Sequence, residues 1–66
     1  MAHSTKTPEF RPGDYVQVKA SMADTFPKHA EYVGKVVRAA RGDVIVEFPA
    51  LGSKALFCDT SLEYAD

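Results

Sequence analysis

The chain holds a single cysteine, Cys58, so no disulfide can close within it. A lone thiol fits a reducing compartment, and a cytoplasmic location is the expectation. Long apolar runs are absent too. Nothing approaches the roughly 20 residues needed to cross a bilayer, and no membrane insertion is expected. The first residues, MAHSTKTP, lack the apolar segment of a secretory signal, and 1–9 read as a flexible tail. Glycine and proline are scarce at 4 each, and the chain is 45% hydrophobic and 26% charged, which excludes general disorder. Net charge is −1, so the whole molecule has no electrostatic drive toward nucleic acid or an anionic membrane. What is left is one small domain, 10–66. A chain this short buries only about 60% of the surface its unfolded state exposes. Without a disulfide it depends on tight packing or on association with a partner.

What is present is a series of short strands. In Phe10-Arg11-Pro12-Gly13-Asp14, Pro12 presets φ and Gly13 supplies the positive φ of a type II turn. Tyr15 to Lys19 then alternates, with Val16 and Val18 on one face and Tyr15, Gln17 and Lys19 on the other. Ala20 to Glu31 has no period; a helical turn fits around Met22, and Pro27 prevents anything longer. This long loop is expected to fold back over the strands. Tyr32 to Ala39 is the second strand, where Gly34 suggests a bend or a close backbone approach. Arg41-Gly42-Asp43 forms a turn into the third strand, Val44 to Phe48, and the two strands make a hairpin. Pro49 ends the third strand, Lys54 to Cys58 is the fourth, and Asp59 to Leu62 reads as one helical turn capped by Asp59 or Thr60. Glu63-Tyr64 is a minimal fifth strand. The pattern predicts an all-β fold: a small, strongly bent, five-stranded barrel with a long first loop and a short helical turn before the last strand. Its expected core is Val16, Val18, Val36, Val44, Val46, Phe48, Phe57 and Leu62, with Phe10 as a plug at one end.

No catalytic constellation emerges, and neither a metal nor a cofactor is expected. A Cys–His pair would need Cys58 beside His29, because His3 lies in the tail. Cys58 reads as a small buried hydrophobe rather than a nucleophile. His29 has no second ligand at metal spacing, and the carboxylates are scattered over turns and strand faces. Charge is uneven along the chain. Lys19, Lys28, Lys35, Arg38 and Arg41 against Asp24 and Glu31 give 5 − 2 = +3 over 19–41. Lys54 against Asp43, Glu47, Asp59, Glu63 and Asp66 gives 1 − 5 = −4 over 42–66. Such asymmetry either orients a charged partner or is an ordinary solvated surface. Interface centres favour aromatics with cations, so Lys19, Phe26, Lys28, Tyr32, Lys35, Arg38 and Arg41 are the candidate partner-binding residues. Met22 and Phe26 have a second possible role, pinning the loop to the barrel.

The run Phe10-Arg11-Pro12-Gly13-Asp14-x-Val16-x-Val18, with Gly34-Lys35-Val36-Val37, Val44-x-Val46-x-Phe48, Phe57 and Leu62-Glu63, resembles the SH3-like barrels of the electron-transport accessory group. That group includes photosystem I subunit IV, the variable chain of ferredoxin–thioredoxin reductase and subunit S of the photosynthetic NADH-dehydrogenase-like complex. The resemblance implies a non-enzymatic accessory or docking subunit of a larger redox complex. Lys19, Lys35, Arg38 and Arg41 would face an acidic carrier protein. Gly34-Lys35-Val36-Val37-Arg38 also resembles the KOW-type barrels, which implies binding to RNA or to a ribosome or transcription assembly; the net charge of −1 makes nucleic acid the second choice. Gly52-Ser53 and Leu62-Glu63 resemble the closing strand of the plasmid-borne type II dihydrofolate reductases. Lys54-Ala55-Leu56-Phe57 stands where that family has Val-Gln-Ile-Tyr, so the glutamine and tyrosine that contact cofactor and folate are absent and the activity is not carried over.

Overall fold

Valines that alternate with polar residues have one low-energy use, to line one face of a sheet, and the chain adopts it. The computed structural model describes residues 9–65; of the expected tail, only Glu9 falls within them. The strands are β1 (Tyr15–Val18), β2 (Gly34–Ala40), β3 (Asp43–Phe48), β4 (Ser53–Cys58) and β5 (Leu62–Tyr64), with 3-10 turns at Ala20–Met22 and Asp59–Ser61. All pair antiparallel in one sheet of order β4-β3-β2-β1-β5. The all-β architecture, the long first connection and the helical turn before the last strand are therefore present. No described helix is long and apolar enough to cross a membrane.

The buried core is Phe10, Val16, Val18, Val36, Val44, Val46, Phe48, Phe57 and Leu62, the set expected from alternation. Phe26 and Phe48 each meet Phe57 edge-on, with ring centroids 4.9 and 5.9 Å apart. The turn at Pro12-Gly13 is closed by Asp14 N–H donating to the Arg11 carbonyl at 3.0 Å, with Gly13 at φ +99°. The Asp14 carboxylate in turn accepts from Arg11 N–H at 2.9 Å.

Several boundaries differ from expectation. The second strand starts at Gly34 rather than Tyr32, because Tyr32 and Val33 still belong to the loop. Between Val36 and Arg38 the register shifts, leaving Val37 as a bulge. Strict alternation would aim Arg38 inward after buried Val36. The extra residue restores it to the outer face and leaves both Val37 and Arg38 exposed. Cys58 is exposed, not buried, because Phe57 occupies the inward position and its neighbour must point out. Neither Asp59 nor Thr60 caps the last helical turn. Cys58 holds the N-cap position, and no side-chain cap bond forms.

The β2–β3 hairpin turns through Arg41 (φ +48°) and Gly42 (φ +89°), two consecutive left-handed residues between the paired Ala40 and Asp43. This is the primed turn that suits strand twist, and it favours Asn-Gly. Arginine is a poor fit to left-handed backbone, which costs an ordinary L-residue about 1–2 kcal/mol. Arg41→Asn is therefore expected to stabilise the domain, raising the thermal midpoint by about 4 °C. A melt followed by far-UV circular dichroism checks this, and an unchanged or lower midpoint contradicts it.

Candidate partner-binding surface

The sheet has an outer face opposite the core, and its cross-strand pairs set the surface chemistry. Tyr15 pairs with Lys35, Lys35 with Glu47 and Glu47 with Lys54, so one row crosses four strands with alternating charge. The next row joins Arg38, Ile45 and Leu56, with the bulged Val37 beside it. Leu56 is 63% exposed and Val37 40%, so beyond Arg38 this row is apolar and open to solvent. A third row places Ala40, Asp43 and Cys58 in line. Directly opposed unlike charges and apolar pairs are the units that stabilise a sheet face.

The candidate residues fall into separate places. Lys35 and Arg38 share the outer face of β2, and Arg41 is exposed in the hairpin turn beyond it. Arg41 and Arg11 border a depression of about 580 Å³ that is also lined by Asp43 and Asp59. Lys28 and Tyr32 flank a second depression, about 460 Å³, with His29 and Leu51. Lys19 is half-buried after β1, its backbone N–H donating to the Ser61 carbonyl at 2.9 Å. Phe26 is half-buried and packs on Phe57, and Met22 packs against the same core. Of the two roles open to Phe26 and Met22, the structure displays the packing one.

His29 and Cys58 do not meet. The imidazole lies 4.9 Å from the Phe48 ring and 5.5 Å from the Phe57 ring, on the core side of β4. Cys58 points to the outer face of the same strand. His29 thus helps hold the loop, a role its sequence position between Lys28 and Ala30 did not signal. Among the described residues, no three His, Cys, Asp or Glu side chains converge as metal ligands would. At the other end of the sheet, Gln17 Nε2 donates to Glu63 Oε2 at 2.6 Å across β1 and β5. The Tyr64 hydroxyl donates to the Glu9 carbonyl at 3.1 Å, and its ring lies 4.8 Å from that of Phe10.

Leu56 was the surface residue that sequence reasoning overlooked. The signal was available, because a buried Phe57 forces its neighbour outward. Comparison with known proteins finds no matching family model, no similar curated protein and no similar solved structure.

Proposed function

We propose that this chain is an SH3-like barrel acting as a non-enzymatic protein-binding module, an accessory subunit that docks on a larger complex or an acidic carrier protein. The supporting observation is the outer side of β2, where exposed Lys35, Arg38 and Val37 stand next to exposed Tyr15. None of these side chains belongs to the buried core, so folding does not account for them. Cations beside aromatic and aliphatic groups are the composition of interface centres. Lys28 and Tyr32 lie apart from it, at the second depression, and form a separate patch on the loop. The resemblance to electron-transport accessory barrels supports a redox complex as the partner. The lone thiol of Cys58 supports a reducing, cytoplasmic setting.

Co-purification from native extract tests this reading. The wild-type chain should retain a protein partner. Lys35→Glu with Arg38→Glu should weaken retention by about tenfold or more, with an unchanged circular dichroism spectrum. Recovery of nothing but the chain itself at every salt concentration overturns the proposal. Binding to mixed RNA that falls steeply with salt would replace it with the nucleic-acid reading.

A further inference from the structure

The two edges of the sheet are unequal. β5 contributes three residues, whereas β4 contributes six, Ser53 to Cys58, without a proline or a bulge. Long unprotected edges are what natural sheets avoid, because their free N–H and C=O groups template another strand. Which groups are free on β4 follows from the pairing. Asp59 N–H donates to the Gly42 carbonyl at 2.8 Å, just beyond the Asp43–Cys58 pair. In an antiparallel ladder, bonded and non-bonded pairs alternate, so Asp43–Cys58, Ile45–Leu56 and Glu47–Lys54 are the non-bonded pairs. The backbone groups of Lys54, Leu56 and Cys58 therefore point away from β3. Among the described residues, no backbone hydrogen bond from the loops reaches them.

We propose that this edge joins two copies of the chain, β4 against β4, antiparallel and centred on Leu56, into one continuous sheet. Three observations select that arrangement. Centring on Leu56 sets Leu56 opposite the second copy's Leu56 and Lys54 opposite its Cys58, so every outward backbone group on both edges finds a partner. A shift of two residues either way leaves part of the edge unpaired. The same register joins the apolar rows, running Ile45–Leu56 of one copy into Leu56–Ile45 of the other, and draws from water the most exposed large hydrophobic side chain among the described residues. Charge then fits as well. β4 has a basic end, where Lys54 is outermost in the Lys35–Glu47–Lys54 row, and an acidic end, where Asp43 and Asp59 flank Cys58. An antiparallel two-fold lays basic on acidic, while a parallel pairing would set like on like. The interface lies on a different strand from Lys35 and Arg38, so it stands independently of the docking role above.

The test is self-association of the full chain, measured by sedimentation equilibrium over a range of concentrations. Wild type should run as a concentration-dependent dimer. Leu56→Pro removes an N–H that faces the free edge rather than β3, and proline is tolerated on such edges; this variant should be monomeric and folded. Cys58→Lys places a lysine opposite the second copy's Lys54 and should weaken the dimer about tenfold, while Lys54→Glu combined with Cys58→Lys should restore it. A wild-type monomer at millimolar concentration overturns the proposal. So does a dimer whose affinity ignores Cys58→Lys, because that dimer uses another surface or register.

Discussion

Phe48→Ala is expected to remove about 3–5 kcal/mol, a large share of the domain's stability at room temperature. Phe48 is fully buried, and its ring touches both His29 and Phe57, so it ties the β3 wall of the core to the long loop and to β4. Truncating a buried phenylalanine costs about 3–5 kcal/mol, because the transfer energy is lost and a cavity remains. At about 0.05–0.15 kcal/mol per residue, a chain of this length holds roughly 3–10 kcal/mol in all. No disulfide within the chain is there to offset the loss. The measurement is a urea titration followed by circular dichroism, with Val33→Ala, an exposed loop position, as the control. That exposed side chain should change stability by no more than about 0.5 kcal/mol. A cooperative Phe48→Ala transition close to the wild-type midpoint would show that the core is far more adaptable than its packing implies.

How much of this was legible in the sequence divides along the range of the forces involved. The core was legible because strand alternation is local: Val16 and Val18, or Val44, Val46 and Phe48, declare their shared face without knowledge of any partner strand. Turns with a steric signature were legible for the same reason, as Pro12-Gly13 and Arg41-Gly42 were. The bulge at Val37 was not, because it exists only relative to β3; the consecutive residues Val36-Val37-Arg38 look like an uninterrupted strand. Its consequence falls on the outer face, since it decides whether Arg38 faces the core or the solvent. Cys58 was misread because composition ranks cysteine among buried residues, and the parity set by Phe57 outweighs that preference. Of the candidate surface residues, Lys28, Tyr32, Lys35, Arg38 and Arg41 are exposed and Lys19 and Phe26 half-buried, and their arrangement was illegible. Sequence order put Lys28 and Lys35 in one basic stretch, whereas folding sends the first to the loop beside Leu51 and the second to the outer row with Glu47 and Lys54.

Gly34→Ala is expected to destabilise the domain by about 1–3 kcal/mol, the usual range for forcing a methyl into a filled core. The reason is space, not backbone conformation, since Gly34 is not among the residues with positive φ. A Cβ at this position would collide with Val46 Cγ1 and lie 3.0 Å from Phe48 Cε2 and 3.1 Å from the Glu47 carbonyl oxygen. The side chains could shift slightly, but the carbonyl belongs to β3, which the β2 and β4 ladders hold on both sides. Gly34 also pairs with Val16, so any displacement of β2 is passed to β1. Val46→Ala removes the colliding methyl and should partly rescue Gly34→Ala. The two substitutions together should then cost less than the sum of their separate effects, with a coupling of about 0.5–3 kcal/mol. Urea midpoints of the wild type, both single variants and the double variant measure that coupling. Strictly additive losses would mean that Gly34 is required by the backbone and not by its close approach to Val46.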